Sequence, residues 1–162
     1  MLKIAFNQSY IYPLEENHRF PMIKYELIPE QLIRENTCVN DNFFNPGKID
    51  KKLVLLTHQE EYFNRFKSLK LSKKEIREIG FPLSKELVER EMEIAQGTVM
   101  GVNYSLKNGI SMNIAGGTHH AFFDRGEAFC MLNDQSIAAN YLLKEKLVKK
   151  IMIIDLDVHQ GN

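Results

Sequence analysis

Residues 151–162 read Ile151-Met152-Ile153-Ile154-Asp155-Leu156-Asp157-Val158-His159-Gln160-Gly161-Asn162. The unbroken apolar run from Ile151 to Ile154 suits a strand covered on both faces within a parallel sheet. Open α/β sheets place their sites outside the carboxyl ends of such strands, and this run delivers Asp155 there. Side chains alternate in extended chain, so Asp155, Asp157 and His159 are expected on one face. An aspartate and a histidine two residues apart can reach one divalent ion, and carboxylate oxygen and imidazole nitrogen are ordinary zinc ligands. Asp155, one step further back, is better placed to orient a neighbouring group by a hydrogen bond. The competing reading of Asp-x-His is a polar pair that caps or solvates a loop.

Working outward from that run, helical and strand patterns alternate, which points to α/β architecture. Ser84 is an N-cap candidate for a helix from Lys85 to about Leu106, with the apolar stripe Val88, Met92, Ala95, Val99 and Val102. Glu60–Lys67 and Ser72–Glu78 are shorter helical candidates, the latter opening with the capping-box pair Ser72 and Glu75. Met22–Arg34 carries helical spacing, with Pro21 near its start and Pro29 expected to interrupt or bend it. Asn40–Gly47 reads as a loop. Lys3–Phe6 and Ser111–Ala115 read as strands, and a helix is expected from Asn133 to about Lys146.

Composition bounds the rest. The chain has 162 residues, enough for one compact domain, and is 44% hydrophobic and 26% charged. Lys+Arg and Asp+Glu both number 21, so net charge gives no reason to expect nucleic acid as a partner. No apolar stretch is long enough to span a membrane, and the N-terminus lacks the apolar core of a secretory signal. Cys38 and Cys130 form no Cys-x-x-Cys pair, so a reducing cytoplasm is the expected location.

Two further stretches bear on chemistry. Gly116-Gly117-Thr118-His119-His120 follows an expected strand. Its glycines let the backbone turn and approach a ligand closely, and the adjacent histidines can act as general acid/base and electrostatic partner. No Lys-Ser/Thr follows the glycines, so this is not a phosphate-binding loop. In Phe129-Cys130-Met131-Leu132-Asn133-Asp134, Cys130 reads as a small buried hydrophobe. A Cys130–His120 nucleophilic pair is the alternative, with nothing local to activate the thiol.

Taken together and in this order, Gly116–Ala121, Phe129–Asp134 and Asp155–Asn162 closely resemble the histone deacetylase family, part of the wider arginase/deacetylase superfamily. His18-Arg19-Phe20-Pro21-Met22-Ile23-Lys24-Tyr25 and Asn162 look like its bacterial and class IV branch. The resemblance runs from Leu2 to Asn162. It implies the N-terminal part of a parallel-sheet, three-layer fold, truncated after an interior strand whose neighbours lie in an absent C-terminal half.

By resemblance, His120 is the general base and acid, His119 its electrostatic partner, Asp155 the group that orients His119, and Asn162 the position that orients His120. Asp157 and His159 are the implied zinc ligands, with the third ligand, an aspartate, absent from this chain. Phe129 is the implied wall of the acyl-lysine tunnel, and Arg19 the implied arginine of an internal acetate channel. Ala128 stands where the family carries glycine, which puts the tunnel geometry in question. Gln160-Gly161-Asn162 after the Asp-x-His favours one zinc over the two manganese ions of the related ureohydrolases. The implied reaction is zinc-assisted removal of acetyl groups from acetyl-lysine or a small acetylated amine. This chain alone is expected to be inactive and to need a C-terminal complementing chain. The alternative is a non-catalytic product of a split or decaying deacetylase gene.

Overall fold

The computed structural model describes residues 1–162. Strand β1 (Lys3–Ala5) lies at the centre of a three-stranded sheet, between β2 (Phe43–Phe44) and β3 (Ser111–Asn113). Both neighbours run parallel to β1, with Ile4 opposite Phe43 on one side and Met112 on the other. Parallel neighbours need long crossovers, which helices supply. Helix α1 (Lys24–Arg34) connects β1 to β2. Helices α2 (Lys51–Val54), α3 (Glu60–Lys67), α4 (Lys73–Ile79) and α5 (Lys85–Asn108) lie between β2 and β3, and α6 (Asp134–Lys144) follows. The α/β class expected from the sequence is the one observed.

Local chemistry sets the helix starts. Ser72 Oγ accepts from the Glu75 amide at 3.3 Å while Glu75 Oε2 accepts from the Ser72 amide at 2.7 Å, a reciprocal capping box. Ser84 Oγ accepts from the Leu87 amide at 3.2 Å, and Asn133 Oδ1 accepts from the Ser136 amide at 3.0 Å. Each such cap satisfies a donor that the helix itself leaves free.

Helix α5 is the spine, and it buries Leu87, Val88, Met92, Ile94, Ala95 and Val99. Gly97 lets it lie hard against the sheet. A Cβ there would stand 2.7 Å from Tyr10 Oη and 2.9 Å from Ala5 Cβ, closer than carbon atoms pack. Tyr62, Phe63 and Phe66 from α3, together with Phe81, fill the same core.

Three expectations need correction. Pro29 does not interrupt α1, which runs on to Arg34. Proline forfeits one main-chain hydrogen bond, but its ring is buried on the same face as Tyr25, which offsets the loss. The loop expected at Asn40–Gly47 contains β2, too short for alternation to show. The run Ile151–Ile154 forms no strand. Met152, Ile153 and Ile154 are 77%, 51% and 68% exposed, and none donates or accepts a main-chain hydrogen bond. A strand is defined by ladder bonds to a neighbour, and burial on two faces needs a layer on each side. Neither stands beside this run. No helix is long and apolar enough to cross a membrane.

Candidate functional site

The site is built on the turn after β3. Gly117 adopts φ +89°, a left-handed conformation that side chains resist, and a Cβ at Gly116 would stand 2.9 Å from Asp134 Oδ2. Asp134 is the clamp of this turn, and it is 1% exposed. Its carboxylate accepts from the Gly117 amide at 3.1 Å, the Thr118 amide at 2.8 Å, Thr118 Oγ1 at 2.7 Å and Thr98 Oγ1 at 2.5 Å. Behind it, buried His58 Nε2 accepts from the Asn133 amide at 2.9 Å. The backbone before His119 is therefore fixed by charge-assisted bonds from the start of α6.

His119 and His120 leave this turn side by side, ring centroids 4.1 Å apart. His119 Nδ1 lies 2.5 Å from Asp155 Oδ2. A carboxylate on Nδ1 fixes the tautomer and leaves Nε2 as the free lone pair. The hydrogen bond from His119 holds the Asp155 carboxyl below the usual carboxylate range, helped by the Asp157 amide. Asn162 meets the histidines through their backbone. Its amide donates to the His119 carbonyl and its Nδ2 to the His120 carbonyl, each at 3.1 Å. It bonds the His120 main chain and not the imidazole.

The segment 155–159 is not extended, contrary to the alternation expected of it. Asp155 Oδ1 accepts from the Asp157 amide at 3.0 Å, and Asp157 Oδ1 accepts from the His159 amide at 2.7 Å. Each aspartate folds the chain back on itself two residues later, a turn that aspartate makes readily. His159 Nδ1 also lies 2.9 Å from Asp157 Oδ1. The His159 amide and then its ring hold the Asp157 carboxyl below its usual range. Both side chains are exposed, 50% for Asp157 and 74% for His159.

His119, His120, Asp157 and His159 border one cleft of about 520 Å³, together with Phe129, Arg19 and Arg90, whereas Asp155 and Asn162 do not. Phe129 is presented by a tight turn in which Ala128 and Phe129 take φ +45° and +68°. Arg19 lies over the Phe129 ring, 4.8 Å from its centroid. Burial pushes the Cys130 thiol up to about 12, which removes the thiolate that a Cys130–His120 nucleophile needs. As zinc donors, Asp157 and His159 fit in kind, one carboxylate and one imidazole. They are one short of the three protein ligands a catalytic zinc takes, and no trio of His, Cys, Asp or Glu side chains is gathered around one point.

Three residues at or behind the cleft escaped the sequence reading. Asp134 follows an N-cap asparagine, a place where any acid favours the helix dipole, so its clamp role had no separate signal. Lys24 and Arg90 border the cleft, and Arg90 forms a buried pair with Glu91. Two adjacent charges inside the apolar stripe of α5 were the available hint.

A parallel α/β sheet with two histidines and an Asp-x-His turn gathered beyond its strands defines the class: an α/β domain with a polar, metal-compatible site. The chain belongs to the histone deacetylase family, whose Histone deacetylase domain it matches over residues 14–162. An uncharacterized protein of Picosynechococcus is 35% identical over 98% of this chain and 53% of its own length. Histone deacetylase 2 of Arabidopsis thaliana is 27% identical over 99% of this chain and 44% of its own. The acetoin utilization protein AcuC of Staphylococcus aureus is 26% identical over 93% and 41%. In structure, an HDAC homolog from Aquifex aeolicus superposes with TM-score 0.72 at 23% identity, covering 89% of this chain and 41% of that one. The chain thus spans about half the length of the relatives it matches.

Proposed function

We propose that this chain supplies the N-terminal half of a zinc-dependent amidohydrolase that removes acetyl groups from acetyl-lysine or a small acetylated amine. One observation carries the reading. Residues from separate stretches, His119 and His120, Phe129, and Asp157 with His159, border one cleft. In this reading Asp157 and His159 hold the zinc with a third donor from outside these residues. Zinc held there would supply polarisation of the acetyl carbonyl and a more acidic water. His120 takes the water's proton and passes it to the departing amine. The charged Asp155 fixes His119 beside it, and Phe129 walls the acyl group. The 162 residues alone are inactive, because two donors do not make a catalytic zinc site.

The test joins this chain to the carboxyl-terminal half of a relative and measures release of acetate from an acetyl-lysine peptide. Zinc-stimulated turnover, lost on His120→Ala and on Asp157→Ala, is expected. A folded, zinc-loaded chimera that leaves every acetyl amide intact would sink the proposal. Zinc-stimulated turnover by the 162-residue chain alone, abolished by His120→Ala, would refute its inactivity.

A further inference from the structure

The chain carries no net charge, yet its cleft does. Arg19, Lys24 and Arg90 border it against the single carboxylate of Asp157. These cations rest on aromatic faces. Arg19 lies 4.8 Å from the Phe129 centroid. Lys24 Nζ lies 4.6 Å from that of Phe20 and 5.1 Å from that of Tyr25, and the Arg90 guanidinium lies 5.1 Å from that of Tyr25. The Phe20, Phe81 and Phe129 rings pack on one another at 5.0 Å. A ring face holds a cation without neutralising it and leaves its N–H donors for another acceptor. Neither Arg19 nor Lys24 forms an ion pair, and the only ion pair of Arg90 is with Glu91.

Arg90 is the built part of this array. It is 2% exposed, and its Nε donates to the Tyr10 carbonyl at 2.8 Å. Its Nη1 donates to Glu91, and the guanidinium also hydrogen-bonds the Tyr25 hydroxyl. Burial raises the Glu91 carboxyl against the pull of Arg90. Burial also grades across the cleft, from the exposed His159 to Arg90, whose side chain is 3% exposed. Asp157 lies close enough to Lys24 to act on its charge, so a ligand held at Asp157 comes within reach of a cation. A cationic amine placed there would meet like charges in a partly desolvated site, which counts against an acetylated polyamine.

We infer that the cleft takes amides whose acyl group ends in a carboxylate, a succinyl-type group in preference to a neutral acetyl, with Lys24 and Arg90 receiving that carboxylate. The acyl part of this inference rests on the proposed amidohydrolase function. The preference for an anion rests on the cleft's own charges.

The experiment is isothermal titration of the full chain with Nε-succinyl-lysine, Nε-acetyl-lysine, N-acetylputrescine, succinate and acetate. The succinyl compound is expected to bind roughly tenfold tighter than the acetyl one, with an advantage that shrinks as salt rises. Lys24→Gln, at a half-buried position, brings that ratio close to one. Equal affinities, no binding, a ratio unchanged in Lys24→Gln, or tighter binding of N-acetylputrescine would overturn the inference. So would acetate binding as tightly as succinate, since the cations would then serve only a released product. The readout is binding, so this inference and the hydrolytic function can fail separately.

Discussion

Two regions meet at His119, and they are held in opposite ways. The turn before it hangs from buried Asp134, whose carboxylate accepts four hydrogen bonds from the Gly117 and Thr118 amides and two threonine hydroxyls. The segment after Ile151 touches the turn through the His119–Asp155 bond and two bonds from Asn162, while Leu156 and Val158 are 92% and 91% exposed. One half of the candidate site is thus part of the packed fold, and the half that carries Asp157 and His159 leans on it. Positional precision at a site comes from burial behind it, and only the histidine side has that.

The largest expected effect follows directly. Asp134→Ala strips the acceptor from several buried donors at once, and each unsatisfied donor costs about 1–3 kcal/mol. Urea unfolding should show a loss of about 3 kcal/mol or more, and a loss below about 1 kcal/mol would mean that water or another group already serves these donors.

A second effect tests the buried framework through pH. Burial, against the pull of Arg90, lifts the Glu91 carboxyl to about 7, while an unfolded glutamate titrates near about 4.3. Between those values the folded chain keeps a proton that the unfolded chain has released, so stability falls as pH rises across that window and is flat beyond it. The total is on the order of 3–4 kcal/mol. Glu91→Gln should remove the slope; a slope that persists in that variant would assign it to another group.

This contrast also explains what the sequence disclosed. Helices α3 and α4 were legible because capping residues and apolar spacing are local properties, and Ser84 marked the start of α5. Ile151–Ile154 was legible as a buried strand only if something covers it. Apolar content states a demand for burial, and a separate part of the molecule has to meet it. His119 and His120 were readable from the glycines before them. The partners of Arg90 and Asp134 were not, because Tyr10 and Thr98 lie far from them in the chain. Asn162 was expected to orient the His120 ring, and its bond to the His120 carbonyl depends on how the last residues fold back.

A smaller effect is expected at the turn that presents Phe129. The Glu127 and Cys130 amides each donate to the other residue's carbonyl at 2.9 Å. The two residues between them both take positive φ, as tight hairpin turns require. Ala128 bears a steric cost there that glycine does not. Ala128→Gly should therefore raise stability by about 0.5–1 kcal/mol, despite glycine's greater freedom in the unfolded chain. A destabilised variant would show that the methyl group packs usefully against the cleft wall.

The smallest stability effect belongs to Asp157, the residue with the largest proposed role in metal binding. Its carboxylate serves only the amide and ring of His159 two residues away, and it is half exposed. Removing it leaves no buried donor stranded, so Asp157→Ala should change unfolding stability by less than about 0.5 kcal/mol. Zinc affinity, measured by competition with a chromogenic chelator, should fall in the same variant. Together the two readings separate a ligand from a structural residue. A loss above about 1 kcal/mol without metal would show that the segment after Ile151 is packed as firmly as the turn on Asp134, and the two halves of the site would then be equally rigid.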